Sequence, residues 1–273
     1  MKIIFYSVFC MLLIIILYLL SLRGRRNFAD FSKFKGFYYA HRGLHNNSTS
    51  PENSREAFKR ALLCGYGAEL DVHLLADGEL AVIHDYLLLR TAGSEAEIEK
   101  LKTGDLKNYY LEGTAETIPT LSEVLRIYDG AAPLIIELKS TRRNSKAICR
   151  AVAENLKGYK GDFCIQSFDP RCLYWFKKHH PEIIRGQLSE NYFNNKNKYQ
   201  PFLYRLVMSF LLTNFITKPD FVAYRFSDRN FISFKLCQKL WKMQMFGWVI
   251  STEKQLDEAK KENIIPIFDK ICP

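Results

Sequence analysis

From Phe37 onward the chain alternates short apolar runs with longer amphipathic ones, and this rhythm constrains the fold more than any other feature. A short run rich in apolar and β-branched residues reads as a strand buried on both faces, and the amphipathic stretch after it reads as a helix laid over that strand. Repeating the pair is the signature of β-α units around a parallel sheet. Strand candidates fall at 37–41, 68–74, 80–84, 133–138, 162–167, 183–188, 220–224 and 246–250. Helix candidates fall at 54–64, 121–128, 145–156, 170–179, 230–240 and 253–262, with start signals such as Asn53 before Ser54 and Ser227-Asp228 before Asn230. Eight strands match a (β/α)8 TIM barrel, and 273 residues less an apolar leader fit its usual length of roughly 250. A doubly wound open sheet is the alternative fold, but no GxGxxG follows the first strand and no P-loop spacing occurs.

The leader is itself informative. Residues 3–22 carry no charge, and 20 residues at about 1.5 Å each cross a hydrocarbon core of roughly 30 Å. The expected organisation is a transmembrane anchor at 1–22, a basic linker at 23–36 and a barrel domain at 37–273. A cleaved signal peptide is the rival, but the apolar run exceeds an h-region of about 7–15 residues, and no small-x-small site precedes Arg23. Lys2 lies on one side of the run; Arg23, Arg25, Arg26, Lys33 and Lys35 crowd the other. The positive-inside rule therefore places a single-pass protein in the cell membrane with its domain facing the cytoplasm. Seven scattered cysteines without CxxC spacing suggest neither zinc nor a disulfide framework, which fits that compartment.

Composition is that of an ordinary globular chain, 48% hydrophobic and 25% charged. A net charge of +10 suits a domain tethered beside anionic headgroups. No basic helix with interleaved aromatics and no nucleic-acid module is present, so a nucleic-acid partner is not expected. Two stretches break the alternation. Residues 86–117 are long and polar, and are expected to cap one end of the barrel. Residues 192–217 open on an Asn/Lys-rich patch and continue, from Phe202 to Ile216, as an aromatic and aliphatic run that reads as a buried helix, a lid, or a helix dipping into a bilayer.

The residues able to carry chemistry sit where strand candidates end, the face on which barrel active sites form. His41-Arg42-Gly43 closes the first candidate: His moves protons near neutral pH, Arg grips a phosphate through paired hydrogen bonds, and Gly allows a tight turn. In Glu69-Leu70-Asp71-Val72 the strand period of two puts both carboxylates on one face. Such a pair repels and loses hydration unless a divalent cation lies between, and oxygen-only ligands favour Mg2+ or Ca2+ over zinc. An edge strand with its acidic face in water is the alternative. Glu137 and Lys139 repeat the device, with Glu137 a candidate to complete the metal site and Lys139 to neutralise a phosphate, unless the two form a structural pair. His84-Asp85 supplies a second histidine, again after an apolar run. Two histidines, three acids and an arginine on one rim suit phosphodiester cleavage by acid/base and metal catalysis.

With those residues in place the sequence resembles the glycerophosphodiester phosphodiesterase family. His41-Arg42-Gly43, Pro51-Glu52-Asn53-Ser54, Ala57-Phe58, Glu69-Leu70-Asp71-Val72, Asp77-Gly78 and His84-Asp85 stand in that family's order and spacing, continued by Pro119-Thr120-Leu121 and Glu137-Leu138-Lys139. The resemblance is dense from Phe37 to Lys139, and thinner through Gln166-Ser167-Phe168-Asp169 and Gly186-Gln187-Leu188. It implies a (β/α)8 barrel that hydrolyses a glycerophosphodiester to glycerol phosphate and an alcohol. Glu69, Asp71 and Glu137 would then bind one divalent cation, His41 and His84 would be the acid/base pair, and Arg42 and Lys139 would hold the phosphate. It further implies attack by a substrate hydroxyl to give a cyclic phosphate that water opens.

The C-terminal end departs from the family pattern. Trp248 is followed by Val249, Ile250 and Ser251, and the chain ends Phe268-Asp269-Lys270-Ile271-Cys272-Pro273. Trp248 remains a candidate apolar wall for the glycerol moiety. No catalytic role is assigned to His45, His73, His179 or His180. Two further readings stand beside the first: a phospholipase D-like enzyme acting on lysophospholipids, favoured by the anchor and the greasy run, and a catalytically silent phosphodiester-binding protein.

Overall fold

The computed structural model describes all residues except 26–28, 47, 142 and 195–199, so Arg26 of the basic cluster and part of the Asn/Lys-rich patch lie outside the described residues. Helix α1 (Lys2–Ser21) precedes the globular part. There follow β1 (Tyr39–His41), α2 (Arg55–Leu63), β2 (Gly67–Leu74), β3 (Leu80–Val82), α3 (Leu89–Ala92), α4 (Leu121–Tyr128), β4 (Leu134–Leu138), α5 (Ser145–Leu156), β5 (Phe163–Ser167), α6 (Pro170–His179) and β6 (Arg185–Ser189). The rest is α7 (Phe202–Ser209), α8 (Asn214–Thr217), β7 (Phe221–Arg225), α9 (Ile232–Lys235), β8 (Gln244–Ile250), α10 (Glu253–Lys261) and β9 (Ile264–Phe268). Parallel pairing runs β1-β2-β4-β5-β6-β7-β8-β9 and returns to β1, closing an eight-stranded barrel.

The barrel is the expected one, but one of its staves is not. The candidate at 80–84 is β3, which pairs antiparallel with β2 outside the ring. Only five residues separate it from β2, whereas a parallel crossover needs about a dozen. The eighth stave is β9, absent from the sequence candidates because Pro266 interrupts its apolar run and lacks a ladder donor. Asn53 is likewise not the cap of α2. Ser54 is, accepting a bond from the Ala57 amide, and Asn53 turns elsewhere.

Strand parity divides the core into two shells. Leu70, Val72, Ile136 and Leu138 point outward and pack beneath α2, α4, α5 and α6. Tyr39, Ile135, Cys164, Phe221, Phe246 and Ile265 point inward. Small residues face large ones there: a Cβ on Gly186 would lie 2.1 Å from the Phe221 ring. The amino-terminal end of the barrel is plugged by Phe31 and Phe34, both buried against these inward residues. The stretch expected as a linker therefore contributes to the core. Arg25 fastens it further, its Nε lying 2.6 Å from Asp220, a buried carboxylate that also accepts from the Arg185 amide.

Residues 86–117 are less polar in effect than they read. Leu88, Ile98, Leu106 and Leu111 form a satellite core with Leu75, Ala81 and Ile83, which holds this excursion against the carboxyl-terminal end of β2. Between β6 and β7, α7 is exposed over its first turn and buried at Met208 and Ser209, so the wholly buried helix is excluded. The window Ile4–Ser21 of α1 has a mean hydropathy of 2.6 and is not buried, making it long and apolar enough to cross a membrane, a property signal sequences share.

The plug gives a stability prediction. Phe34→Ala should lower the unfolding free energy of the full chain by about 3–5 kcal/mol, seen as a reduced denaturant midpoint in detergent solution. Leu63→Ala, at an exposed position on α2, should shift it by less than about 0.5 kcal/mol.

Candidate active site

The inward positions change character along the barrel. Below they are aromatic and aliphatic; at the carboxyl-terminal ends β2 contributes Glu69 and Asp71, β4 contributes Glu137, and Lys139 follows β4. The same period of two that sends Leu70 and Val72 to the helices sends these carboxylates inward. Their oxygens lie within 4.8 Å of one another, about twice a Mg–O or Ca–O bond of roughly 2.1–2.5 Å. One hard cation between them would touch all three.

His41 ends β1, and the chain then turns through Arg42 and Gly43, with φ of 58° and 79°. A Cβ on Gly43 would collide with Ala57 at 2.8 Å, so the close approach of this turn to α2 requires glycine. Arg42 reaches Glu52 Oε1 at 2.9 Å and Asp71 Oδ2 at 3.5 Å. Lys139 Nζ lies 2.6 Å from Glu137 and 3.0 Å from Asp71. His84 Nδ1 stands 2.6 Å from Asp85 Oδ1, and Arg90 bonds both Asp85 and Glu52. His41 Nδ1 is 4.0 Å from Asp269. The bond at His84 favours the tautomer that leaves Nε2 as an acceptor, whereas His41 faces its carboxylate from beyond hydrogen-bond distance.

All eight residues singled out from sequence converge. His41, Arg42, Glu69, His84, Glu137, Lys139 and Trp248 line one cavity of about 60 Å³, and Asp71 lies directly behind, bonded to Lys139 and Arg42. Trp248 stacks edge-on against Phe168, and among the described residues its buried indole N–H has no acceptor. A larger hollow of about 1230 Å³ lies among the outer helices, lined by Arg150, Trp175 and His179, away from this cluster.

Electrostatics marks the cluster as short of positive charge. Burial raises the Glu69 carboxyl well above its ordinary range, and the neighbouring Asp71 and Glu137 charges add to the rise. Burial likewise raises Glu137. Asp71 goes the other way: burial opposes its charge, but Lys139, His84 and Arg42 outweigh that and hold it low. Both imidazoles are pushed toward the neutral form. Burial, aided by Arg42, lowers His41 to about 3; burial, aided by Lys139 and Arg42 against Asp71, lowers His84. Three carboxylates thus share the space with two cationic side chains, a deficit of positive charge that a bound cation would relieve.

Sequence reasoning missed the residues that orient this group. Asn53, held at a φ of 56°, donates its amide to Asp71 Oδ2 at 2.9 Å. Gln166 reaches Glu69 Oε1 at 3.3 Å. Asp269 sits between His41 and His45, and His73 bonds the His84 carbonyl. The available signal was Pro51-Glu52-Asn53-Ser54, in which Asn beside Ser reads first as a helix cap.

A closed barrel with acids, histidines and two basic side chains gathered at its carboxyl-terminal mouth has the groups that hydrolysis of a phosphoric diester needs, and the protein's relatives place it among such hydrolases. The model of the glycerophosphoryl diester phosphodiesterase family matches residues 41–232, and the chain belongs to that family. It is similar to a glycerophosphodiester phosphodiesterase of Bacillus altitudinis, at 36% identity over 172 residues, covering 59% of this chain and 69% of that one. A lysophospholipase D of Rattus norvegicus is 30% identical over 141 residues, covering 47% of this chain and 43% of the relative. The fold is shared with an Oleispira antarctica phosphodiesterase solved in complex with the product sn-glycerol-3-phosphate, with a TM-score of 0.71, 23% identity, and coverage of 86% of this chain and 92% of that one.

The bond from Asn53 can be tested by Asn53→Gly, which tolerates the positive φ and removes only the amide. Uptake of a divalent cation should weaken about 10–100-fold in calorimetric titration, with the melting temperature nearly unchanged. Unaltered affinity would show that Asp71 needs no such support.

Proposed function

We propose that the chain is a membrane-anchored, metal-dependent phosphodiesterase that hydrolyses glycerophosphodiesters to glycerol phosphate and an alcohol, in lipid or glycerol metabolism. The observation that carries the reading is the meeting of Glu69, Asp71 and Glu137 within 4.8 Å at the mouth of a cavity lined by His41 and His84. In this reading residues 1–22 are the anchor, 23–36 join it to the barrel, and 37–273 form the catalytic domain facing the cytoplasm.

Glu69, Asp71 and Glu137 would hold one Mg2+ or Ca2+, which when bound neutralises the acidic cluster and polarises phosphoryl oxygens. Arg42 and Lys139 place the phosphate by charge-assisted hydrogen bonds. Trp248 covers the glycerol moiety and offers its N–H to a substrate oxygen. One neutral imidazole takes the proton of a glycerol hydroxyl as that oxygen bonds to phosphorus. The P–O bond to the alcohol breaks, and the other imidazole, which the anionic phosphate helps to protonate, delivers a proton to the departing oxygen. Water then opens the cyclic phosphate with the two roles exchanged. Asp85 and Asp269 stabilise each imidazolium while it lasts.

A second reading is the same chemistry on a lysophospholipid. It is supported by the exposed apolar surface of α1 and α7 and by the similarity to a lysophospholipase D. Comparing hydrolysis of glycerophosphocholine with that of lysophosphatidylcholine separates the two.

His41→Ala and His84→Ala should each lower turnover of glycerophosphocholine by about 10²–10⁴-fold without loss of fold by circular dichroism. Full turnover in either variant would end the acid/base assignment. Chelation should abolish activity in the unsubstituted chain and readdition of Mg2+ or Ca2+ restore it, while Glu69→Gln should be inactive at every metal concentration.

A further inference from the structure

The end of α1 is built into the barrel. Leu22 is buried; its carbonyl accepts from Asn214 Nδ2 at 3.3 Å, and the Leu19 carbonyl accepts from the Trp241 indole at 2.8 Å. Tyr18 packs edge-on against Phe210, and Arg23 lies 5.2 Å over the Trp241 ring. These partners belong to the segments after β6 and β7, and the same segments carry an uncovered apolar patch. Phe202 and Leu203 on α7, Phe215 and Ile216 on α8, Ile232 on α9 and Leu240 beyond it are all about half exposed or more. Six large apolar side chains bare on the segments around one helix exit have the character of an interaction surface. The surrounding charge has one sign: residues 200–243 hold seven Lys or Arg against two Asp, and Asp220 of these is buried.

We propose that this flank, formed by α7, α8 and α9 around the exit of α1, seats on an anionic lipid bilayer, so that the barrel lies against the membrane with its β6–β7 side in the headgroup region. The inference rests on reading α1 as a membrane anchor. Its apolar window reaches 18 residues only by including Tyr18 to Ser21, so whatever packs against Tyr18 lies at interface depth. The apolar groups there enter the headgroup boundary, and Arg23, Arg205, Lys218, Lys239 and Lys242 meet anionic lipid. The patch lies on the same side of the barrel as β6, whose Leu188 lines the catalytic cavity and which α7 follows in the chain. An amphiphilic phosphodiester in the membrane plane thereby gains a short route to the site.

The test uses the full chain in vesicles of phosphatidylcholine and phosphatidylserine, some of the lipid brominated along its acyl chains. In Leu203→Trp the added indole should be quenched well beyond the three native tryptophans, whereas Leu63→Trp, on α2 across the barrel, should add no quenching. Equal quenching at the two positions, or none at Leu203→Trp, overturns the seating. So does a blue-shifted Leu203→Trp emission in a lipid-free detergent dimer, which would assign the patch to a second copy of the chain. Carbonate extraction separates the two readings: a chain retained in vesicles but unquenched leaves the anchor standing and removes the seating, and a chain that extracts removes both. Replacing Phe202 and Leu203 with Ser should slow hydrolysis of vesicle-borne lysophosphatidylcholine about tenfold and leave glycerophosphocholine hydrolysis unchanged; an equal effect on both overturns the proposed route.

Discussion

Three carboxylates sharing one buried space at the barrel mouth are the constraint on which the rest of the structure turns. Glu69, Asp71 and Glu137 repel one another and have lost most of their water. The fold compensates by bringing cations and donors from separate elements: Arg42 from the loop after β1, Lys139 after β4, and amides from Asn53 and Gln166. A further shell braces those groups, with Glu52 shared by Arg42 and Arg90, and Asp85 shared by Arg90 and His84. Such a chain of alternating charges holds side chains in one geometry because moving any member strands its neighbour. What the shells do not supply is a full complement of positive charge, and the raised Glu69 is the sign of that deficit.

Much of this was legible because strand parity is strict. Once 68–74 reads as a strand, Glu69 and Asp71 must share a face, and two buried acids on one face already imply a partner cation. The same parity made Glu137 legible on β4, and Lys139 just beyond its end. What escaped the sequence was long-range or locally ambiguous. β9 is recognised by its pairing with β1 and β8, which no local pattern reports, and Pro266 argues against it. β3 has the composition of a stave and is excluded only by the short turn before it. Asn53 has two favourable uses, capping a helix or bonding a carboxylate from a left-handed conformation, and only the position of Asp71 decides between them. Asp269 lies far from His41 in sequence and meets it because the barrel closes.

Closure also explains why the segment before the first strand matters. A barrel tapers to two open ends, and an end without a ligand must be filled. Loops carrying charge fill the carboxyl-terminal end. Phe31 and Phe34 fill the other, so the residues expected as a tether belong to the folded body. The pair Arg25–Asp220 and the bond from the Arg25 amide to the Pro219 carbonyl secure the same crossing. A catalytic fragment beginning at Phe37 would therefore lose part of its core.

The junction with α1 follows the same logic at a smaller scale. The last four carbonyls of a helix lack partners within it, and each one buried without a donor is costly. Here the barrel supplies donors: Asn214 for Leu22 and Trp241 for Leu19. A helix capped by side chains of the body it carries is joined at a fixed angle, since swivelling would break both bonds and uncover Leu22. The direction of α1 and the position of the β6–β7 flank are consequently one geometric fact. If α1 spans a bilayer, the apolar flank has no freedom to turn away from it, and the side chains bare in water are those that the capped helix brings to lipid.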